Sequence, residues 1–238
     1  MERRSLTVVL PSYDEEENLR GLLPELSAVL AGIDDYDTTI HVVVRSQPDE
    51  AALDEIRGLG AVPVIRGPSD SFGDAIRSGI ASVPSGVEFV IFMDADGSHP
   101  PETIPRLLEF ADTYDVVVAS RYVSGGQSDY GPVLRGMSRS LNLCFRMVLG
   151  IDCKDVSTNF KLYKREQLQA ITLTCDKFDV VEEILFRLQR LVGKKTFRVH
   201  EVPDRFHERR SGSSKRQLGP FVVSYVVTLV RLRTTSGK

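Results

Sequence analysis

The chain has 238 residues, 42% apolar, 26% charged and 8% aromatic, with 18 Gly, 12 Pro and no Trp, a composition that supports a full buried core and excludes disordered, collagen-like and disulfide-scaffold proteins. The net charge of −3 hides an uneven distribution: residues 1–120 carry 22 acidic against 8 basic side chains, whereas residues 194–238 carry 11 basic against 3 acidic ones. A basic carboxyl end on an acidic body points to an anionic partner at that end.

Residues 6–10 read as a buried strand, an apolar run too short for a signal peptide. Ser12 with Glu15 three residues on predicts a capping box, and Leu19, Leu22, Leu23, Leu26 and Leu30 keep helical spacing behind it. The pattern repeats as strand 39–44, helix 49–57, strand 62–65, helix 72–83, strand 88–93, helix 102–111 and strand 116–119. Such alternation predicts an α/β fold, a mostly parallel sheet with helices on both faces. From Gly125 a Gly/Ser/Asp stretch leads to an amphipathic helix near 134–149, a short strand at 160–163, a helix near 180–192 and a strand at 195–202. The last stretch is basic, then apolar over 221–230, about half of the ~20 residues a membrane span needs. Cys144, Cys153 and Cys175 form no CxxC or Cys/His cluster, so neither a zinc site nor a disulfide framework is expected and a reducing compartment fits. The expected organisation is one domain over 1–215 with a carboxyl-terminal amphipathic extension over 216–238.

The strand at 88–93 runs into Asp94, Ala95, Asp96, Gly97, Ser98, His99, Pro100 and Pro101. A buried strand ending in two carboxylates two residues apart sets them at the carboxyl edge of the sheet, where open α/β folds bind ligands. Hard oxygen donors there suit Mg²⁺ or Mn²⁺ bridging to a diphosphate; the alternative, an Asp-rich turn capping the next helix, explains one Asp more readily than two. The loop after the first strand carries Pro11, Ser12, Tyr13 and an acidic run from Asp14 to Glu17. Capping and macrodipole compensation account for part of it, but it would lie beside the Asp94 loop, where Tyr13 faces a nucleobase and Glu15 a ribose or base edge. Glu182 and Glu183 read as helix-surface charge rather than a general base, and His99, His200 and His207, without metal spacing, as structural. Gly58 and Gly60 mark a turn, no Gly-x-Ser-x-Gly elbow exists, and basic residues interleaved with aromatics are too few for nucleic-acid binding.

Six ordered motifs run from Val9–Asn18 through Met93–Asp96 with His99–Pro101, Ser120–Tyr122 with Gly125 and Gly126, Arg135 with Ser138 and Arg139, and Asp155–Ser157 with Phe160–Tyr163, to Phe206 with Arg209, Gly212, Ser214 and Lys215. With them the chain resembles the inverting family 2 glycosyltransferases of the GT-A fold, and among these the dolichol/polyprenol-phosphate mannose synthase group, over about residues 6–215. The resemblance implies transfer of a hexose, mannose first and glucose next, from a nucleoside diphosphate-sugar to a polyprenyl phosphate. It implies Mg²⁺ or Mn²⁺ at Asp94 and Asp96, with Ser98 a weak further ligand. It implies a donor site of Pro11, Tyr13, Glu15, Asp94, Ala95, Asp96, Arg121, Arg209 and Lys215, with Arg135 and Ser138 on the acceptor phosphate. Asp96, Arg121, Arg135 and Arg209 would serve catalysis, since an arginine fork suits phosphate oxygens. A phosphate acceptor is already ionised at neutral pH, so no strong base is needed.

The chain departs from the family pattern twice. Where relatives carry an acidic run before a Ser-Pro-Asp-Gly-Thr-like turn, this chain has Val44, Arg45, Ser46, Gln47, Pro48, Asp49 and Glu50, which leaves the nucleotide base open. The stretch 66–73 lacks the Arg-Gly-Leu-like signature, although Gly73, Ala75 and Gly79 remain. Two alternatives stay: a family 2 transferase with a soluble acceptor, and a catalytically silent sugar-nucleotide-binding protein. If helical, 221–232 gathers Phe221, Val222, Tyr225, Val226, Leu229 and Leu232 on one face, bracketed by Lys215, Arg216, Arg231 and Arg233. This predicts a peripheral contact with an anionic membrane, on its cytoplasmic face, against the alternative of a core helix packed on the domain.

Overall fold

The computed structural model describes residues 3–67 and 69–209. Its first half alternates β1 (Arg4–Pro11), α1 (Glu16–Ala31), β2 (Tyr36–Val44), α2 (Glu50–Gly58), β3 (Val62–Ile65), α3 (Phe72–Ser82) and β4 (Phe89–Phe92); a 3-10 turn (Pro101–Thr103) then leads into α4 (Ile104–Leu108) and β5 (Val116–Ser120). The second half adds β6 (Gln127–Ser128), α5 (Pro132–Leu149), β7 (Lys161–Lys164), α6 (Arg165–Gln169), α7 (Val180–Val192), β8 (Val199–Pro203) and β9 (Arg205–Phe206). Seven strands share one sheet in the order β3-β2-β1-β4-β7-β5-β8, and β6 pairs with β9 in a separate ribbon.

Period-two alternation places the core on both sheet faces. Leu6, Val8 and Leu10 of β1 meet Leu19, Leu22 and Leu23 of α1 on one face, while Val9 joins Ile76 of α3, Phe145 of α5 and Leu185 of α7 on the other. Each fully buried side chain of this kind contributes about 1.5–3 kcal/mol. The sheet is parallel except at β7, which runs antiparallel to both β4 and β5. Its reversal matters for the site: the start of β7 lies beside the carboxyl end of β4, with Lys161 opposite Phe92.

Three local expectations change. The capping box does not form: Ser12 donates its N–H to Val43, prolonging the strand pairing, and α1 begins after Glu15, whose side chain makes no cap bond. The last long strand begins only at Val199, because Gly193 (φ 103°) ends α7 and the N–H groups of Thr196 and Phe197 fold back onto its carbonyl. Glu182 and Glu183 are not surface charges but fully buried. Glu183 accepts from the N–H groups of Thr174 and Cys175, the Thr174 hydroxyl and Arg187; burial works to raise its pKa, but these bonds hold it below the usual carboxylate range. Lys215 and the extension expected over 216–238 lie outside the described residues. Among the described residues no helix is long and apolar enough to cross a membrane.

Candidate active site

Strand order reverses between β1 and β4: β2 and β3 follow on one side of β1, and β4 lies on the other. Loops leaving the carboxyl ends of such a pair diverge and open a crevice. A cavity of roughly 500 Å³ occupies it, lined by Pro11, Tyr13 and Glu15 from the first loop and Asp94, Ala95 and Asp96 from the second. Phe206, Glu208 and Arg209 close it from the carboxyl end of the described chain, and Phe72, Tyr130, Leu134 and Phe178 give it apolar walls.

Both carboxylates are held from outside their own loop. Asp94 Oδ1 accepts from Asn159 Nδ2 at 3.1 Å, a contact the antiparallel β7 makes possible. Asp96 Oδ1 accepts from the Ser98 N–H at 3.1 Å, in a tight turn that Gly97, at φ 73°, is suited to form. Arg209 Nη2 donates to Glu15 Oε1 at 2.6 Å and stands 3.6 Å from Asp96 Oδ2, so one guanidinium ties the two loops together. Glu15 Oε2 in turn accepts from Asn18. No group of three His, Cys, Asp or Glu side chains suited to a metal exists among the described residues. Two hard carboxylates facing an open cavity do fit Mg²⁺ or Mn²⁺, which takes its remaining oxygens from water and substrate phosphates, and do not make the closed set of a structural zinc site.

His99, expected to be merely structural, is a buried bracket. Its Nδ1 lies 3.0 Å from Asp204 Oδ2 and its Nε2 3.7 Å from Asp94 Oδ2, with Phe160 and Phe206 against its ring edges and Thr103 donating to Asp204. Burial works to lower its pKa, but the two carboxylates prevail and raise it to about 9. Its partner lies 105 positions away, a pairing no local pattern announces. Arg66 also escaped sequence reasoning: buried, it donates to the carbonyls of Ser12 and Val44 and lies under the Tyr13 ring at 5.5 Å.

The other expected residues are distributed differently. Ser98 is fully buried and off the cavity wall; it closes the Asp96 turn through its N–H and accepts from the His207 N–H through its carbonyl. Arg121 is buried outside the cavity lining, with Nε and Nη2 on Asp155 at 2.8 and 2.6 Å, as a guanidinium buried this deeply requires a carboxylate partner. Arg135 is exposed on α5 and holds the carbonyls of Ser128 and Tyr130. Ser138, one turn on, accepts from Asn142 through its carbonyl, and neither residue lines the cavity. In the altered stretch after β2, Arg45 pairs with Asp14 at 3.6 Å and the Ser46 N–H bonds Asp70.

The family model described as "Glycosyl transferase family 2" matches residues 7–172. An undecaprenyl-phosphate mannosyltransferase of Micrococcus luteus is 34% identical over 96% of this chain and 93% of its own length. A dolichol-phosphate mannosyltransferase of Pyrococcus furiosus is 32% identical over 98% of this chain and 65% of its own length. Glucosyl-3-phosphoglycerate synthase from Mycobacterium tuberculosis, solved with phosphoglyceric acid, superposes with a TM-score of 0.72 at 19% identity over 97% of this chain and 80% of that one. The same synthase with Mn²⁺ and UDP-glucose gives 0.70. These neighbours share the GT-A fold, the mostly parallel α/β sheet described above.

Proposed function

This chain belongs to glycosyl transferase family 2, and we propose that it moves a hexose, mannose in first place, from a nucleoside diphosphate-sugar to a polyprenyl phosphate with inversion. The observation that carries this reading is the pair Asp94 and Asp96, facing the cavity at the β1/β4 divide and cross-tied to Glu15 through Arg209. The names of the mannosyltransferase relatives support the acceptor class.

Asp94 and Asp96 would hold Mg²⁺ or Mn²⁺, which when bound neutralises charge on a departing diphosphate. The Tyr13 ring, over a third exposed and backed by Arg66, offers a stacking face for the base. Arg209 is placed to exchange its hold on Glu15 for a diphosphate oxygen, adding a second positive group where charge develops. Glu182 and Glu183, buried away from the cavity lining, take no part as a base, as an ionised phosphate acceptor requires none.

A donor screen with Mn²⁺, with and without a short polyprenyl phosphate, tests the reading. Mannose transfer that requires the lipid phosphate is the expected result. Transfer to a soluble acceptor alone, or nucleotide-sugar binding without turnover, would overturn it.

A further inference from the structure

Behind Asp94 lies a buried pair of polar residues that stability alone does not explain. Asp204, in the link between β8 and β9, and His99, on the loop that follows β4, are each 2% exposed. His99 Nδ1 meets Asp204 Oδ2 at 3.0 Å, and the Thr103 hydroxyl donates to Asp204 Oδ1 at 2.9 Å. Taking a carboxylate and an imidazole out of water is costly, and apolar side chains of similar volume often fill such a space with no loss of stability. What the pair achieves is placement, in two directions. Toward the cavity, His99 Nε2 stands 3.7 Å from Asp94 Oδ2 while Asn159 holds Asp94 Oδ1 at 3.1 Å, so both carboxylate oxygens are fixed from behind. Toward β9, the segment that carries Arg209 rests on Ser98 and His99: Asp204 binds the His99 ring, Phe206 packs against its edge at 5.1 Å, and the His207 N–H donates to the Ser98 carbonyl at 2.8 Å. Two residues further on, Arg209 reaches Glu15 and Asp96.

We propose that Asp204 and His99 are positioning residues, a buried clasp that seats the Arg209 segment on the Asp94 loop and sets the Asp94 carboxylate before a divalent ion and a diphosphate bind. The inference rests on the nucleoside diphosphate-sugar reading and adds what aligns the parts of that site. Both residues lie off the cavity wall, so they act through Asp94 and Arg209 and not on the substrate. Groups held in place from behind lose less freedom when a ligand arrives, which is why residues that orient a metal's ligands affect affinity without touching the metal.

The double variant His99→Phe/Asp204→Leu separates placement from stability, because it removes the pair as a whole and leaves no buried charge unanswered. On the full chain it should unfold in urea near the wild-type midpoint. Calorimetric titration with GDP or UDP in Mn²⁺, which needs no turnover, should nevertheless show binding weakened about tenfold or more. Asp204→Asn keeps an oxygen for the His99 ring and an amide for Thr103, and should bind within about threefold of the wild type. Since the clasp works partly through Arg209, the loss caused by His99→Phe/Asp204→Leu should shrink to about threefold or less when Arg209→Ala is already present. Trypsin reports on the seating without any ligand: cleavage after Arg205, in β9, should be at least about threefold faster in the double variant.

Nucleotide binding by the double variant at wild-type strength overturns the proposal. So does a loss that multiplies unchanged with that of Arg209→Ala, which would mean the two act independently. A urea midpoint low enough to leave the double variant partly unfolded during the titration overturns it too, making the pair a stability element. Absence of Mn²⁺-dependent nucleotide binding by the wild-type chain would count against the functional reading instead; cleavage after Arg205 still reads the clasp in that case, so the two failures are distinguishable.

Discussion

Asp94 and Asp96 were readable from the sequence because the features that make them a site are local: an apolar strand, two carboxylates and a glycine turn within a few positions. If the pair holds the divalent ion as proposed, removing one carboxylate loosens that ion and with it the neutralisation of diphosphate charge, so Asp96→Ala should lower the transfer rate by roughly 10²–10³; turnover that is undiminished and indifferent to metal would remove Asp96 from the site. Arg121 shows the opposite case, since the residue that decides its part lies 34 positions away. The pair is fully enclosed, and Asp155→Asn would leave a buried guanidinium without its counter-charge, at a cost of about 3–5 kcal/mol. Urea denaturation measures this, and a loss below about 1 kcal/mol would show the pair to be dispensable.

At the scale of elements, packing overrides local patterns. The Lys161–Lys164 strand reads the same whichever way it runs, yet its insertion antiparallel between β4 and β5 is what carries Asn159 to Asp94. The joint between β2 and α3 holds a titratable group: His41 Nδ1 pairs with Ser82 Oγ at 2.9 Å, and burial lowers its pKa from 6.5. The unfolded chain therefore takes up this proton more readily than the folded one. The associated stability is complete above about pH 6.5 and is lost as pH falls through that value toward the lowered folded-state pKa. Urea midpoints between about pH 7 and 5 should fall more steeply for the wild type than for His41→Gln, and superimposable slopes would exclude His41 as a contributor.

For the whole molecule, the site joins segments far apart in the chain: the loop after β1, the loop after β4 and the segment after β9. Ligand binding should therefore stabilise the entire fold. A nucleoside diphosphate with Mn²⁺ at about 100 times its Kd adds roughly 2.7 kcal/mol, a rise of roughly 5–10 °C in Tm for a chain of this length, which Asp94→Asn/Asp96→Asn should abolish. A rise that survives in the double variant would place the binding elsewhere. Base selectivity follows from the altered stretch after β2, where Arg45 answers Asp14 and no acidic run is present. Calorimetry with GDP and UDP should show weak discrimination, and a preference above about a thousandfold would reveal a base-reading hydrogen bond elsewhere in the pocket.

The sequence by itself determined the α/β class, most of the elements of the first half and the carboxylate pair, because hydrophobic periodicity and turn chemistry act over a few residues. It also supplied the family, since six motifs in order carry more information than any one of them. The tertiary structure alone decided which charged groups face the cavity. Glu182 and Glu183 went inward, Arg121 and Asp155 closed on each other, His99 found Asp204, and Arg209 reached Glu15 across 194 positions. A charged side chain takes its function from its partner and its exposure to water, and in a crossover topology the partner is set by how the sheet assembles rather than by neighbours along the chain.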